Sequence, residues 1–150
     1  MFSNTPITIV GNIGVDPEMR YTTGGNAVTS FNVAVPQRKY DKQTSKWEDI
    51  GTTWYRCTCW RQLAEHCAES LTRGSRVIVV GTLASRAWED KEGNKRETWE
   101  ITADAIGPDL TYATASVKRT ARDTVPMPDD PWAGDGSAET GSEPAQAGNK

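Results

Sequence analysis

One histidine, three cysteines and no apolar run of membrane-spanning length leave this 150-residue chain little material for several common kinds of chemistry. His66 has no evident nucleophile beside it, and neither a phosphate-cradling P-loop nor a G-x-S-x-G elbow occurs. No catalytic residue and no cofactor is therefore expected. No segment approaches the roughly 20 apolar residues of a spanning helix, so no membrane partner is expected either. The opening MFSNTPITIV lacks the basic region and long apolar core of a secretory signal. Three cysteines cannot all pair, which points to free thiols, a reducing compartment and a cytoplasmic location.

The formal charge is only −3, but it is unevenly spread. Acids and bases nearly balance up to Tyr112; Lys118, Arg119 and Arg122 then make a basic neck, and acids dominate from Asp123 onward. The last stretch, VPMPDDPWAGDGSAETGSEPAQAGNK, is rich in Pro, Gly, Ala and Ser and has too little to bury to offset the entropy of ordering. The expected organisation is a folded domain over residues 1–112, a basic neck over 113–122 and a disordered acidic tail over 123–150.

Within the folded part, ITIVGNIG reads as a strand in which Gly11 marks a bulge or a close backbone approach. Turn residues Gly24, Gly25 and Asn26 precede AVTSFNVAV, which alternates cleanly and which Pro36 is expected to end. The polar, basic QRKYDKQTSKWEDIGT reads as a loop carrying exposed Tyr40 and Trp47, and a third strand covers Thr53 to Trp60. In RQLAEHCAESLTRG the period changes: Leu63, Cys67 and Leu71 recur at helical spacing, with Arg73 and Gly74 as the stop. SRVIVVGTLASRAW, with a bend at Gly81, and TWEITADAI supply two more strands around the charged hairpin loop EDKEGNKRE. Three strands, a helix and two strands is the order of the OB-fold, so the expected class is all-β, a five-stranded barrel with one short helix between the third and fourth strands.

The third strand, WYRCTCW, presents two unlike surfaces, because successive side chains face opposite ways. Trp54, Arg56, Thr58 and Trp60 fall on one side; Tyr55, Cys57 and Cys59 fall on the other. An arginine between two tryptophans argues against burial of that side. Exposed Tyr40, Trp54, Trp60 and Trp88, with basic residues such as Arg56, Arg73, Arg86 and Arg96 in the same regions, are what a single-stranded nucleic acid requires: aromatic faces for unpaired bases and cations for phosphates. The competing reading makes the tryptophans core and the charges merely solvated. A zinc site at Cys57, Cys59, His66 and Cys67 is a further alternative, disfavoured by spacing: adjacent helical residues diverge by about 100°. The thiols read better as core, and no metal is expected.

The segments VGNIGVDPEMRYTTGGNAVTSFNVAV, WYRCTCWRQLAEHCAESLTRGSRVIVVGTL and RAWEDKEGNKRETWEITADAIGP together resemble bacterial single-stranded DNA-binding proteins, most of all actinobacterial members, from about Ile7 to Tyr112. The resemblance implies an OB-fold homotetramer that binds single-stranded DNA without sequence preference, protects it in replication, repair and recombination, and performs no chemistry. It places stacking aromatics at Tyr40, Trp54, Trp60 and Trp88, phosphate contacts at Arg56, Arg73, Arg86 and Arg96, and a subunit contact at Tyr55. It implies location on the nucleoid, and replication and repair proteins as partners through an acidic tip ending in proline and phenylalanine. This chain ends AQAGNK instead and carries Asp129, Asp130, Pro131 and Trp132 internally, the chemistry of that tip without its terminal carboxylate. Those four are candidate partner-binding residues. An RNA-binding or primosome-type OB-fold protein stays open as an alternative.

Overall fold

The computed structural model describes residues 5–121. Its elements run β1 (Thr5–Ile13), β2 (Glu18–Tyr21), β3 (Ala27–Asp41), β4 (Lys46–Trp60), α1 (Arg61–Ser70), β5 (Arg76–Glu89) and β6 (Lys95–Pro108). Neighbours in the sheet follow the order β1-β5-β6-β4-β3, and β1 returns to β3 through Asn12–Ala34 and Ile13–Val33. That last pairing closes a five-stranded barrel. All pairings are antiparallel except β4 with β6, which meet in parallel at Arg56–Glu100, Cys57–Ile101 and Thr58–Thr102. Residues 117–121, beyond the compact unit that ends at Ser116, carry no helix or strand and are exposed.

Closure depends on two glycines. A methyl at Gly11 would collide with the Ala34 carbonyl, and one at Gly81 would collide with the Thr102 carbonyl and lie 2.9 Å from the Ala103 Cα. Gly11 therefore marks a close approach. At Gly81 the register also shifts, since Val80 faces Ala105 while Gly81 faces Ala103, which leaves Asp104 unpaired in a bulge.

The alternating residues of AVTSFNVAV behave as their pattern predicts: Ala27, Thr29, Phe31 and Val33 are buried. They meet Ile9, Ile13, Val77, Val79 and Ile101 inside the barrel, each large aliphatic side chain contributing roughly 1.5 to 3 kcal/mol on burial. The helix closes one end through Ala64, Cys67 and the following Leu71. Thr29, fully buried, donates its hydroxyl to the Ala64 carbonyl at 2.8 Å, so helix and barrel share a satisfied polar contact.

Three boundaries differ from the sequence reading. Pro36 does not end its strand: β3 continues to Asp41, because beyond Val35 it keeps only β4 as neighbour, and such an edge tolerates a missing N–H. The expected loop from Gln37 to Thr52 is instead a two-stranded arm formed by the outer halves of β3 and β4, turning through residues 42–45. Finally, the segment before the Gly24–Gly25 turn contributes a sixth, short strand, β2, laid along Ala27–Ser30 of β3.

All three cysteines are buried free thiols. Burial, reinforced by neighbouring Cys67 and Glu100, raises Cys57 from 9.0 to about 12. Cys59 is held protonated by its hydrogen bond with Cys67 and by burial. Between pH 9 and about 12 an unfolded Cys57 ionises while the folded one keeps its proton, so stability present below pH 9 is lost as the pH rises through this window. Urea unfolding at pH 9, 10 and 11 should show the unsubstituted protein losing about 1.4 kcal/mol more per pH unit than Cys57→Ala; parallel losses in the two proteins would refute the raised thiol.

Candidate nucleic-acid interface

Strand register decides which side chains share a surface. On β3 the outward series is Asn32, Ala34, Pro36, Arg38, Tyr40; its partners on β4 are Arg56, Trp54, Thr52, Asp49 and Trp47. Counting along β4 alone would put Trp47 and Trp54 on opposite sides. They share a side because the register slips between Gln37 and Arg38, where Gln37 faces Gly51 and Arg38 faces Asp49, leaving Ile50 unpaired. The parallel pairing continues the surface onto Glu100 and Thr102 of β6, and from there the β5–β6 ladder carries it to Thr98 and Arg96 and to Ala84, Arg86 and Trp88. Tyr40, Trp54, Trp60, Trp88, Arg56, Arg86 and Arg96 therefore lie on one continuous face that crosses four strands.

The aromatics on it are open to solvent. Trp54 is 61% exposed, Trp88 48%, Trp60 45% and Tyr40 44%, which rules out the reading of these rings as core. Three of the four are held by something local. The six-membered ring of Trp54 rests against Gly14, where even a methyl would come 2.8 Å from Cη2. Trp88 donates its Nε1–H to Thr98 Oγ1 at 2.9 Å. Tyr40 meets Trp47 across the arm, ring centres 5.5 Å apart and planes at 59°. A ring fixed in this way loses little further freedom when a base stacks on it.

Three of the cations are oriented by neighbouring acids. Arg38 Nε donates to Asp49 at 2.8 Å, Arg56 Nε to Glu100 at 3.2 Å and Arg96 Nε to Asp90 at 3.0 Å. Glu100 is also held by the Thr58 hydroxyl at 2.6 Å, and Thr58, flanked by β3 on one side and β6 on the other, is buried between its tryptophan neighbours. In every pair the bond engages Nε, which leaves donors of the terminal amino groups over, and a guanidinium can hold a carboxylate and a phosphate at once. Backbone N–H donors from Asn94 and Glu92, with Arg96 between them in strength, keep the Asp90 carboxyl below the usual carboxylate range.

Two of the residues singled out in the sequence lie off this face, and for Tyr55 that is the side strand alternation predicts. Arg73 is off this face, in the turn after α1; its backbone N–H is bound to Asp16, next to the segment whose Gly14 underlies Trp54. Tyr55 faces the other way from Trp54 and is half-buried against the core. Trp47 and Glu100 belong to the face but went unassigned: a bulge hid the first, and a parallel strand pairing distant in sequence brought in the second. Asp129, Asp130, Pro131 and Trp132 lie outside the described residues. Among the described residues no group of three or more His, Cys, Asp or Glu side chains could hold a metal ion, and no helix is long and apolar enough to cross a membrane.

Comparison with known proteins identifies the family. A sequence model of the Single-strand binding protein family matches residues 5–109. The single-stranded DNA-binding protein of Paenarthrobacter aurescens is 43% identical over 95% of this chain and 94% of its own length. That of Mycobacterium leprae is 51% identical over 81% of this chain and 73% of its own length. Among solved structures, the small single-stranded DNA-binding protein of Streptomyces coelicolor superposes with a TM-score of 0.62 at 34% identity, covering 73% of this chain and 97% of that one. A family match across nearly the whole barrel, joined to relatives 43% and 51% identical, leads to one conclusion: the chain belongs to the single-strand binding protein family.

Proposed function

We propose that this protein coats single-stranded DNA during replication, repair and recombination, binding without catalysis. The observation that carries the reading is the continuous face on which exposed rings alternate with oriented guanidinium groups. Bases stack on Tyr40, Trp54, Trp60 and Trp88, with Trp47 as an added platform, and phosphates meet Arg56, Arg86 and Arg96. Arg73 receives the strand where it leaves the face beside Trp54. Stacking tolerates any base, since each has a π-face, and supplies about 1 to 3 kcal/mol per base. The overall negative charge is no obstacle, because phosphate attraction depends on where cations lie.

The working form in this reading is a homotetramer in the cytoplasm, on the nucleoid, with Tyr55 near a subunit contact. The family resemblance supports that assembly. The segment Asp129–Asp130–Pro131–Trp132 is proposed to contact replication and repair proteins through its acidic and aromatic chemistry.

Three measurements test this. Affinity should fall in the order oligo-dT, matched RNA, duplex; duplex binding as tight as oligo-dT would defeat the reading, and RNA in first place would favour the RNA-binding alternative. Binding should quench tryptophan fluorescence, and the double change Trp54→Ala, Trp88→Ala should weaken oligo-dT binding by about 2 kcal/mol or more. Equal affinity in that variant would remove the stacking assignment. Arg56→Ala should lower the slope of log affinity against log salt by about one, the signature of one lost phosphate contact; an unchanged slope would leave Arg56 as a partner of Glu100 and nothing more.

A further inference from the structure

Where β4 and β6 part company, the face ends in a cleft of about 550 Å³ whose lining includes Asn26, Trp60, Arg61, Leu63, Thr102 and Asp104. The last rung joining the two strands is Thr58–Thr102; beyond it β4 turns into α1 and β6 keeps only β5. One wall is thus made by the β4–α1 junction and the other by β6.

A backbone irregularity sits on each wall. Arg61 has φ +59, a left-handed conformation uncommon outside glycine. Asp104 is the unpaired residue of the β6 bulge, a device that redirects a side chain. Both are exposed, and among the described residues neither side chain has a hydrogen-bond or ion-pair partner. A guanidinium and a carboxylate therefore flank an exposed indole, each with its donors or acceptors unspent.

The geometry points to a base-reading pocket that favours guanine. This rests on the single-stranded DNA reading above and adds to it a preference at one position of the bound strand. A base stacked on Trp60 presents its edges to the two walls. Guanine alone offers paired donors, N1–H and N2–H, matching the two oxygens of a carboxylate, together with paired acceptors, O6 and N7, matching the fork of an arginine. Thymine has one N–H between two carbonyls, and adenine and cytosine lack the paired donor edge, so each leaves Asp104 partly unmatched. In an unpaired strand both guanine edges are free, whereas a duplex hides the N1–H.

The test is a fluorescence titration of the full chain, at one salt concentration, with oligo-dT carrying a single central dG, deoxyinosine or dA. The dG strand should bind about fivefold or more tightly than all-dT. Deoxyinosine, which lacks the N2 amino group, should lose most of that gain. In Asp104→Asn the dG-to-dT affinity ratio should fall to near one. Equal affinities for dG and dT, or a dG preference that survives Asp104→Asn, would overturn the pocket. Failure to bind all-dT would instead strike the parent reading, so the two can fail separately.

Discussion

Because consecutive strand residues face opposite ways, one unpaired residue, Ile50, decides which side of the β3–β4 arm Trp47 occupies. Below it, Trp54, Arg56 and Trp60 share a side by simple alternation. Above it the parity would reverse, and the arm would present Trp47 away from Trp54. The bulge restores the parity, and Tyr40 opposite Trp47 then continues the aromatic series outward. A second slip, at Asp104, lies on the other pair of strands, and that side chain lines the cleft at the end of the same surface. The aromatic face is a product of alternation corrected at one point.

The electrostatics follow the same economy. In a protein with a net charge of −3, the arginines proposed to meet a polyanion are bound first to the protein's own acids. Glu100 is fixed by the Thr58 hydroxyl before it takes Arg56, and Asp90 is fixed by loop amides before it takes Arg96. Exposed ion pairs of this kind add little stability, typically 0.2 to 1 kcal/mol. Their use is directional, since an arginine already turned toward the face gives up less freedom on meeting a phosphate.

Much of this was legible from residues alone. WYRCTCW told its two sides apart because an arginine between tryptophans cannot sit in a core, and the helix announced itself by the spacing of Leu63, Cys67 and Leu71. The arm did not. Pro36 and a run of polar residues look like the end of a strand, and only a partner strand of equal length converts them into a ladder. Glu100 was invisible for another reason: it sits 44 positions from Arg56, and a parallel contact between strands that distant leaves no local periodicity. Arg73 lies beside the face, in the turn after α1, a placement that its local sequence does not reveal.

The arm also has a mechanical meaning. From Pro36 to Thr52 two strands run together with no third neighbour and no buried residue between them. An isolated ribbon of that kind is barely stable by itself in water. Its rungs, the Arg38–Asp49 bond and one tilted ring pair are all that hold it, so it is expected to be a more compliant finger than the core-backed barrel. Rings spaced along such a finger need not match the pitch of a polymer in advance; the finger can flex until they do. Under the proposed function, a chain of nucleotides with irregular spacing would be gripped by adjustment of the holder, and each seated base would stiffen the finger that holds it.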